Sequence, residues 1–354
     1  SNRAPLTPNA ISPAAGSTVA GTSVDLNVQA DDPEGDNLQI TWYGRVAGKT
    51  GDKFSIAVLP DTQYYSGSIN GGTPAMFNAQ TQWIVNNRKT RNISYVAHLG
   101  DIVENGNSKT TEWSRALTAL KYLEDPATTG LPDGIPYGLA VGNHDQTPDG
   151  DPTPGSTKLY NQNFGTTRFR TRNYYGGRFD IYQDNHYQFF SASGMDFMVI
   201  YLEHTSNPSS AVLKWADQLI KTHPDRRVIV VMHSILGYDA NFSSQGLAIF
   251  NALKNNSNFF LMLCGHNSTE QKRQDIGNGQ TIYTLLSDYQ FRTNGGNGWM
   301  RLLEFDPSTN RINVSTLSPY LNQTESDADS SFSLSYDMQN SGFAVIGSSS
   351  SAVA

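Results

Sequence analysis

The chain has 354 residues but only one cysteine, Cys264. No intrachain disulfide can form, so the fold must stand on its core. Cys264 lies inside the apolar run FFLMLC and reads as a small buried hydrophobe. No apolar run reaches the ~18 residues a membrane-spanning helix needs. Charge is scarce: 16% of residues are charged, and the net charge is −7. No basic track for polymeric nucleic acid is therefore expected, because such binding rests on Lys and Arg neutralising phosphates. Small phosphate esters stay open as partners, since bound metal ions can supply the local positive charge. There is no Gly-x-Ser-x-Gly elbow and no P-loop. A leader peptide is not visible. The Ser-Asn start fits a processed terminus, and the Ser/Ala/Gly-rich end has linker composition.

What is abundant is glycine (31), proline (16), asparagine, serine and threonine. This is the texture of a loop-rich secreted or cell-surface protein. Sequons occur at Asn92, Asn241, Asn255, Asn267, Asn313 and Asn322. A glycan on Asn267 would crowd His266, so a functional His266 fits a bacterial source better than a eukaryotic one.

Residues 1–50 differ from the rest. TSVDLNVQA and NLQITWYGR alternate with period two around the turn-forming DDPEGD, which predicts two strands joined by a turn. The stretch resembles the edge of an immunoglobulin-like module, but falls short of the ~100 residues such a sandwich needs. A small β appendage is expected. Residues 53–325 alternate apolar strands with helical patterns at 75–88, 111–124, 211–222 and 245–255, which predicts an α/β domain with a largely parallel sheet. Segments 279–287 and 299–305 read as hairpin-like strands, and 326–354 as a C-terminal extension or linker. The region 146–190, with TPDGDPTPG and FRTRNYYGGRF, lacks helical periodicity and reads as loops covering a site.

Five apolar runs end in metal-ligand side chains. FSIAVLPDTQ brings Asp61 and Gln63, YVAHLGD brings Asp101, and GLAVGNHD brings Asn143, His144 and Asp145. VIVVMHS brings His233, and FFLMLCGHNS brings His266. In open α/β sheets, ligands collect beyond the carboxyl ends of strands, so these donors describe one polar pocket. The order resembles the calcineurin-like metallophosphoesterase superfamily: Asp-x-His, Gly-Asp, Gly-Asn-His-Asp/Glu, a lone His, then Gly-His-x-His.

The resemblance covers roughly residues 53–320. It implies an α/β/β/α sandwich and two divalent metal ions (Mn, Fe, Zn, Mg or Ca), with Asp101 bridging them. Asn143, His233 and His266 would complete one position with Asp101. The other position departs from the pattern. Asp61-Thr62-Gln63 stands for Asp-x-His, and Gly265-His266-Asn267-Ser268 for Gly-His-x-His. Asp61, the Gln63 carbonyl and Asp101 remain, a harder and weaker oxygen site. The resemblance gives His144 the role of stabilising phosphoryl charge and protonating the leaving oxygen, with Asp145 orienting the ring. The implied activity is hydrolysis of phosphomonoesters or phosphodiesters by a metal-bound hydroxide. The alternative is a metal-binding but weakly active or inactive module of the same fold in a secreted cell-surface protein.

Other polar residues are expected near this pocket or elsewhere. Tyr64, His204 and Gln290 are candidates to line it. His98 reads as core or as a partner of the ligands, and His186 and His223 as surface. Arg168, Arg170 and Arg172 would share one face of a strand, either a solvated edge or a phosphate-facing patch.

Overall fold

The computed structural model describes residues 5–44 except 7, 15, 16, 18 and 20–22, residues 51–338 except 107, 147–156, 206 and 207, and the backbone of 344–351. The chain divides into a small unit, residues 1–46 with 343–354, and a large unit, residues 47–342.

In the small unit, β1 (Asn9–Ser12) pairs antiparallel with β2 (Asn27–Gln29). β3 (Leu38–Gly44) pairs antiparallel with a strand from the far end of the sequence, residues 344–351. The expected hairpin is thus two strands that take different partners. The turn between them is real: the Asp32 carboxylate accepts the main-chain N–H of Glu34 and Asp36, the local bond that makes Asp a turn former.

The large unit begins with β4 (Phe54–Leu59), α1 (Gln63–Gly67), α2 (Pro74–Asn87), β5 (Ile93–His98), α3 (Thr110–Glu124), α4 (Pro126–Thr129) and β6 (Tyr137–Leu139). Then come α5 (Lys158–Phe164), α6 (Thr166–Phe169), β7 (Tyr175–Arg178), β8 (His186–Ala192), β9 (Met195–Leu202), α7 (Ser210–Thr222), β10 (Arg227–Met232), α8 (Ser244–Leu253) and β11 (Phe259–Cys264). The remaining elements are β12 (Glu270–Gly277), β13 (Gln280–Ser287), α9 (Thr293–Gly296), β14 (Met300–Asp306), β15 (Arg311–Ser318), β16 (Gln323–Thr324) and β17 (Ser331–Ser335). The last strand, β18 (Ala344–Ser351), is the partner of β3. Residues 326–354, expected as an extension or linker, therefore supply two strands, β17 paired to β15 and β18.

Two sheets form. One has the order β16-β15-β14-β4-β5-β6, with β17 also on β15, and the other β12-β13-β11-β10-β9-β8-β7. Strands β4, β5 and β6 run parallel, as do β9, β10, β11 and β13. Each parallel strand is buried on both faces, which is why it reads as a continuous apolar run. In β4, Phe54, Ile56 and Val58 join a core with Phe197, Val231 and Leu263 of the other sheet. Ala57 and Leu59 face outward onto residues of α2 and α3, such as Phe77 and Leu120. The other sheet turns Val230, Met232 and Met262 outward onto Ile220 of α7 and Ile249 of α8. The result is an α/β/β/α sandwich.

Segments 279–287 and 299–305 are strands, but each makes its hairpin with a partner the sequence did not suggest. β13 pairs with β12, and β14 with β15. β12 exposes every second residue, but its sequence EQKRQDIG carries a single large apolar side chain, so the alternation is not written in hydrophobicity. The arginine trio is not on a strand either. Arg168 lies in α6, and Arg168 and Arg172 both pair with Glu124 at 2.6 Å. These two guanidiniums anchor the segment to α3 and do not form a phosphate patch. TPDGDPTPG lies outside the described residues, while the rest of 146–190, expected as loops, carries two short helices, β7 and the start of β8.

One buried ionic knot links the sheets. Glu270, at the start of β12, accepts hydrogen bonds from Arg301 (2.9 Å), Arg292 (2.9 Å), Thr316 (2.8 Å), Ser330 (2.8 Å) and Tyr289 (2.8 Å). Arg301 is fully buried. Burial alone would raise the Glu270 carboxyl, but Arg301 and these donors hold it down at about 2. Glu270→Ala should therefore cost ~3–5 kcal/mol, because it strands a buried guanidinium. The ionised carboxylate stabilises the fold fully above its ordinary value of 4.5, and the contribution fades as pH falls toward 2. Denaturant melts of wild type and Glu270→Gln should differ most near neutrality and converge on acidification; a constant gap would contradict the assignment.

Candidate metal centre

The parallel strands deliver their carboxyl ends to one place. Asp61 follows β4, Asp101 follows β5, Asn143 and His144 follow β6, His233 follows β10 and His266 follows β11. The loops beyond these ends are stitched together by main-chain bonds. Thr62 N–H donates to Asp101 (3.0 Å), Gly265 N–H to His233 (2.9 Å) and His204 N–H to Val141 (3.1 Å).

Glycines permit the close approach. A Cβ at Gly142 would run into the Asp101 carboxylate, and a Cβ at Gly265 into that of Asp61. The glycine of each motif is needed because a ligand from another strand occupies the space of its side chain. Asp101 (φ 48°) and His266 (φ 72°) adopt the left-handed conformation. Such backbone is uncommon outside glycine and concentrates at functional sites.

Three ligand groups converge on His233. Its Nε2 lies 3.1 Å from Asp101 Oδ2, 3.1 Å from Asn143 Oδ1 and 3.2 Å from His266 Nδ1. Its Nδ1 donates to the Leu99 carbonyl at 3.0 Å, which leaves the Nε2 lone pair facing the others. Among the described residues, Asp101, His233 and His266 form a group whose ligand atoms all lie within 4.8 Å of one another. One proton can satisfy only part of this set, whereas a cation satisfies all of it. Adjacent ligands at ~2.1 Å from an octahedral centre sit ~3.0 Å apart, which matches the spacing. A backbone carbonyl on the far ring nitrogen is the usual support of a metal-bound histidine.

The electrostatics agree. Burial would depress His233, but Asp101 and Asp61 outweigh it and push the ring up to about 10. Asp101 is fully buried yet held well below the usual carboxylate range by His233 and by the main-chain N–H of His144. His266, lowered to about 4 by burial and by His233, is neutral and free to ligate at physiological pH.

Asp61 is buried and accepts the His266 N–H at 3.0 Å. Gln63 is buried with its Nε2 on Glu104 at 3.0 Å, and its Oε1 has no hydrogen-bond partner. Ser268, at the place of a family histidine, is engaged elsewhere: its Oγ accepts the Phe291 N–H and points at the Asp288 carbonyl. Sequence reasoning missed Asp288. It follows the apolar strand β13, the same signal that marked the other five ends, but sits outside the family motifs.

The role expected for Asp145 does not hold. Its carboxylate accepts the N–H groups of Ile102 (2.9 Å), Val103 (3.1 Å) and Gly142 (2.9 Å), clamping two ligand loops together and not touching the imidazole. Glu104 takes the orienting place instead. Its main-chain carbonyl accepts His144 Nδ1–H at 3.1 Å, and its carboxylate lies 3.5 Å from the same atom. Burial lowers the His144 ring, but Asp101 and Glu104 outweigh it and raise the pKa. Glu104 is in turn set by α3, whose Glu112 accepts the N–H groups of Glu104 and Asn105.

The remaining candidates divide. The His204 ring centre lies 5.6 Å from that of His233 and 5.5 Å from that of His266, so it lines the pocket. Tyr64 opens α1 beside Gln63, and Gln290 is buried beyond β13. His98 is buried, with Nε2 2.9 Å from Thr62 Oγ1. His186, expected on the surface, is buried and stacked on Tyr201 at 4.7 Å, because β8 turns it inward. His223 caps α7 and bonds the Leu219 carbonyl.

Comparison with known proteins gives the frame. A family model described as calcineurin-like phosphoesterase matches residues 54–268. The uncharacterized protein YvnB of Bacillus subtilis is 34% identical over 304 residues, covering 81% of this chain and 22% of that protein. The chain thus spans about a fifth of that relative's length. A dimetal phosphatase from Danio rerio aligns at a TM-score of 0.50 and 13% identity, over 80% of this chain and 99% of that one. The Plasmodium protein GAP50 aligns at 0.48 and 13%, over 80% and 89%. With a matching model over more than half its length, the chain belongs to the calcineurin-like phosphoesterase family.

Proposed function

We propose that the chain hydrolyses phosphate esters of small molecules, monoesters or diesters, with two divalent cations held across Asp101. The observation that carries this reading is the convergence of Asp101, Asn143 and His266 on the Nε2 of His233, beside a partly exposed His144. A divalent cation bound there would polarise a phosphoryl oxygen and lower the pKa of a neighbouring water.

The protein's own groups do the rest. Asp101 keeps its charge despite burial, so it can serve both cation positions. Glu104 fixes Nδ1 of His144, which leaves Nε2 to meet the substrate. Asp101 and Glu104 raise the pKa of that ring, which favours the protonated form that can donate to the leaving oxygen. Tyr64, His204 and Gln290 would line the substrate's place. We place the enzyme outside the cell, in keeping with its glycine-, asparagine- and serine-rich composition and its β-stranded small unit. No described helix is long and apolar enough to cross a membrane. The same site supports a second reading, a metal-binding module with little turnover, because Gln63 and Ser268 stand where the family pattern has imidazoles. Hydrolysis of phosphomonoesters and phosphodiesters with added Mn separates the two: turnover supports the enzyme, and its absence with metal bound supports the module.

Asp101→Ala and His266→Ala should each lose bound metal and activity while circular dichroism stays native; normal metal content in either variant would contradict the ligand set. His144→Ala should keep its metal and lose ~10²–10⁴-fold in kcat, less with a nitrophenolate leaving group that needs little protonation. Loss of metal in that variant would reassign His144 as a ligand.

The dyad makes a pH prediction. A general acid must be protonated, so activity falls as pH rises through its pKa. Glu104→Gln removes a charge that raises this pKa, so the alkaline limb of the kcat profile should move to lower pH. An unmoved limb with reduced turnover would mean that Glu104 serves only the loop.

A further inference from the structure

The second cation position lacks the imidazoles of the family pattern, and nothing in the motifs replaces their donors. The strand beyond β11 does. β11 and β13 run parallel with Cys264 level with Leu286. Two residues past those ends come His266 and Asp288, so Asp288 is one more strand-end donor on the same rim.

Its main chain is pinned there. The Asp288 N–H donates to Thr269 at 3.0 Å, its carbonyl faces Ser268 Oγ at 3.5 Å, and Oδ1 accepts the Gln290 N–H at 2.8 Å. Oδ2 has no hydrogen-bond partner, although Asp288 is only 1% exposed. Gln63 presents the same anomaly, 2% exposed with Oε1 unpartnered. Glu104 holds its amide nitrogen, which leaves Oε1 as the unpartnered atom. The two segments pack together: the Tyr64 and Phe291 rings are 6.3 Å apart, and Gly298 N–H donates to Tyr65 Oη at 2.9 Å.

Three buried carboxylates, Asp61, Asp101 and Asp288, thus share one rim, and among the described residues no Lys or Arg pairs with any of them. Buried acceptors without donors cost free energy, and buried charges need a counter-charge. A cation supplies both.

We propose that Asp288 is an anionic ligand of the second cation position, completing an all-oxygen set with Asp61, Asp101 and the Gln63 carbonyl that selects a hard divalent cation such as Mn, Mg or Ca. The inference rests on the two-cation reading above and goes beyond it in naming the ligand and the class of ion. Carboxylate and amide oxygens suit such ions, whereas imidazole draws Zn. The two positions therefore differ in kind: an imidazole-rich one at His233 and His266, and a hard one at Asp61 and Asp288.

Titration of chelator-depleted full chain with Mn, followed by calorimetry and by the paramagnetic resonance of free Mn, tests this. Wild type should show two steps. Asp288→Asn, which keeps the shape and removes the charge, should weaken the second step at least ~10-fold and leave the first unchanged. Gln63→Ala should weaken the same step, and His266→Ala the other one. Two unaltered steps in Asp288→Asn would overturn the assignment and leave the two-cation reading standing. A single step in wild type would overturn both, and no binding at all would overturn the proposed function with them. Competition in wild type needs no variant: Ca and Mg should displace Mn from the weaker step alone. Displacement from neither step, or from both alike, would overturn the hard-site proposal.

Discussion

The site depends on one constraint, a carboxylate that stays ionised while fully buried. Asp101 is held below the ordinary carboxylate range in a place where burial alone would neutralise it. Its backbone is left-handed, a conformation uncommon outside glycine. The His144 N–H secures one oxygen and His233 faces the other. In turn, Gly142 must lack a side chain, and Asp145 must clamp the two loops that bring Gly142 and Asp101 together. The buried charge also explains why His233 is driven toward its charged form, since the pocket asks for a positive centre. A cation between the rings answers this better than a proton on one of them.

The layered fold serves that constraint. Parallel strands end together, so donors far apart in sequence meet without long loops. Both faces of each sheet are covered, by the other sheet within and by helices outside. α3 contributes beyond packing: its first turn binds the loop after Asp101 through Glu112, and Trp113 donates to Gly106 at 2.6 Å. A helix used to cover a sheet thus also sets the position of Glu104 and, through it, of His144.

Much of this was legible in the sequence, and the reasons are physical. Doubly buried strands write uninterrupted apolar runs, so β4, β5, β10 and β11 and the donors at their ends stood out. The amphipathic α2, α3, α7 and α8 fall within a residue or two of their expected bounds. What was hidden depends on long-range partners. β12 is almost wholly polar, and the pairings of β3 and β17 join segments whose kinship no local period reveals. Glu104 holds the place expected for Asp145 because motif adjacency is not spatial adjacency. The residue next to His144 points at backbone amides, while one 40 positions earlier reaches its ring. Asp288 escaped because a lone Ser-Asp after a strand means little until the neighbouring strand is known.

The central claim is that Asp101 joins two unlike cation positions. Anomalous diffraction from crystals grown with Mn tests it most directly. The account predicts two peaks ~3.5–4 Å apart, both within bonding distance of Asp101, one among Asn143, His233 and His266 and the other beside Asp61 and Gln63. A single peak, or a pair that does not share Asp101, would contradict it.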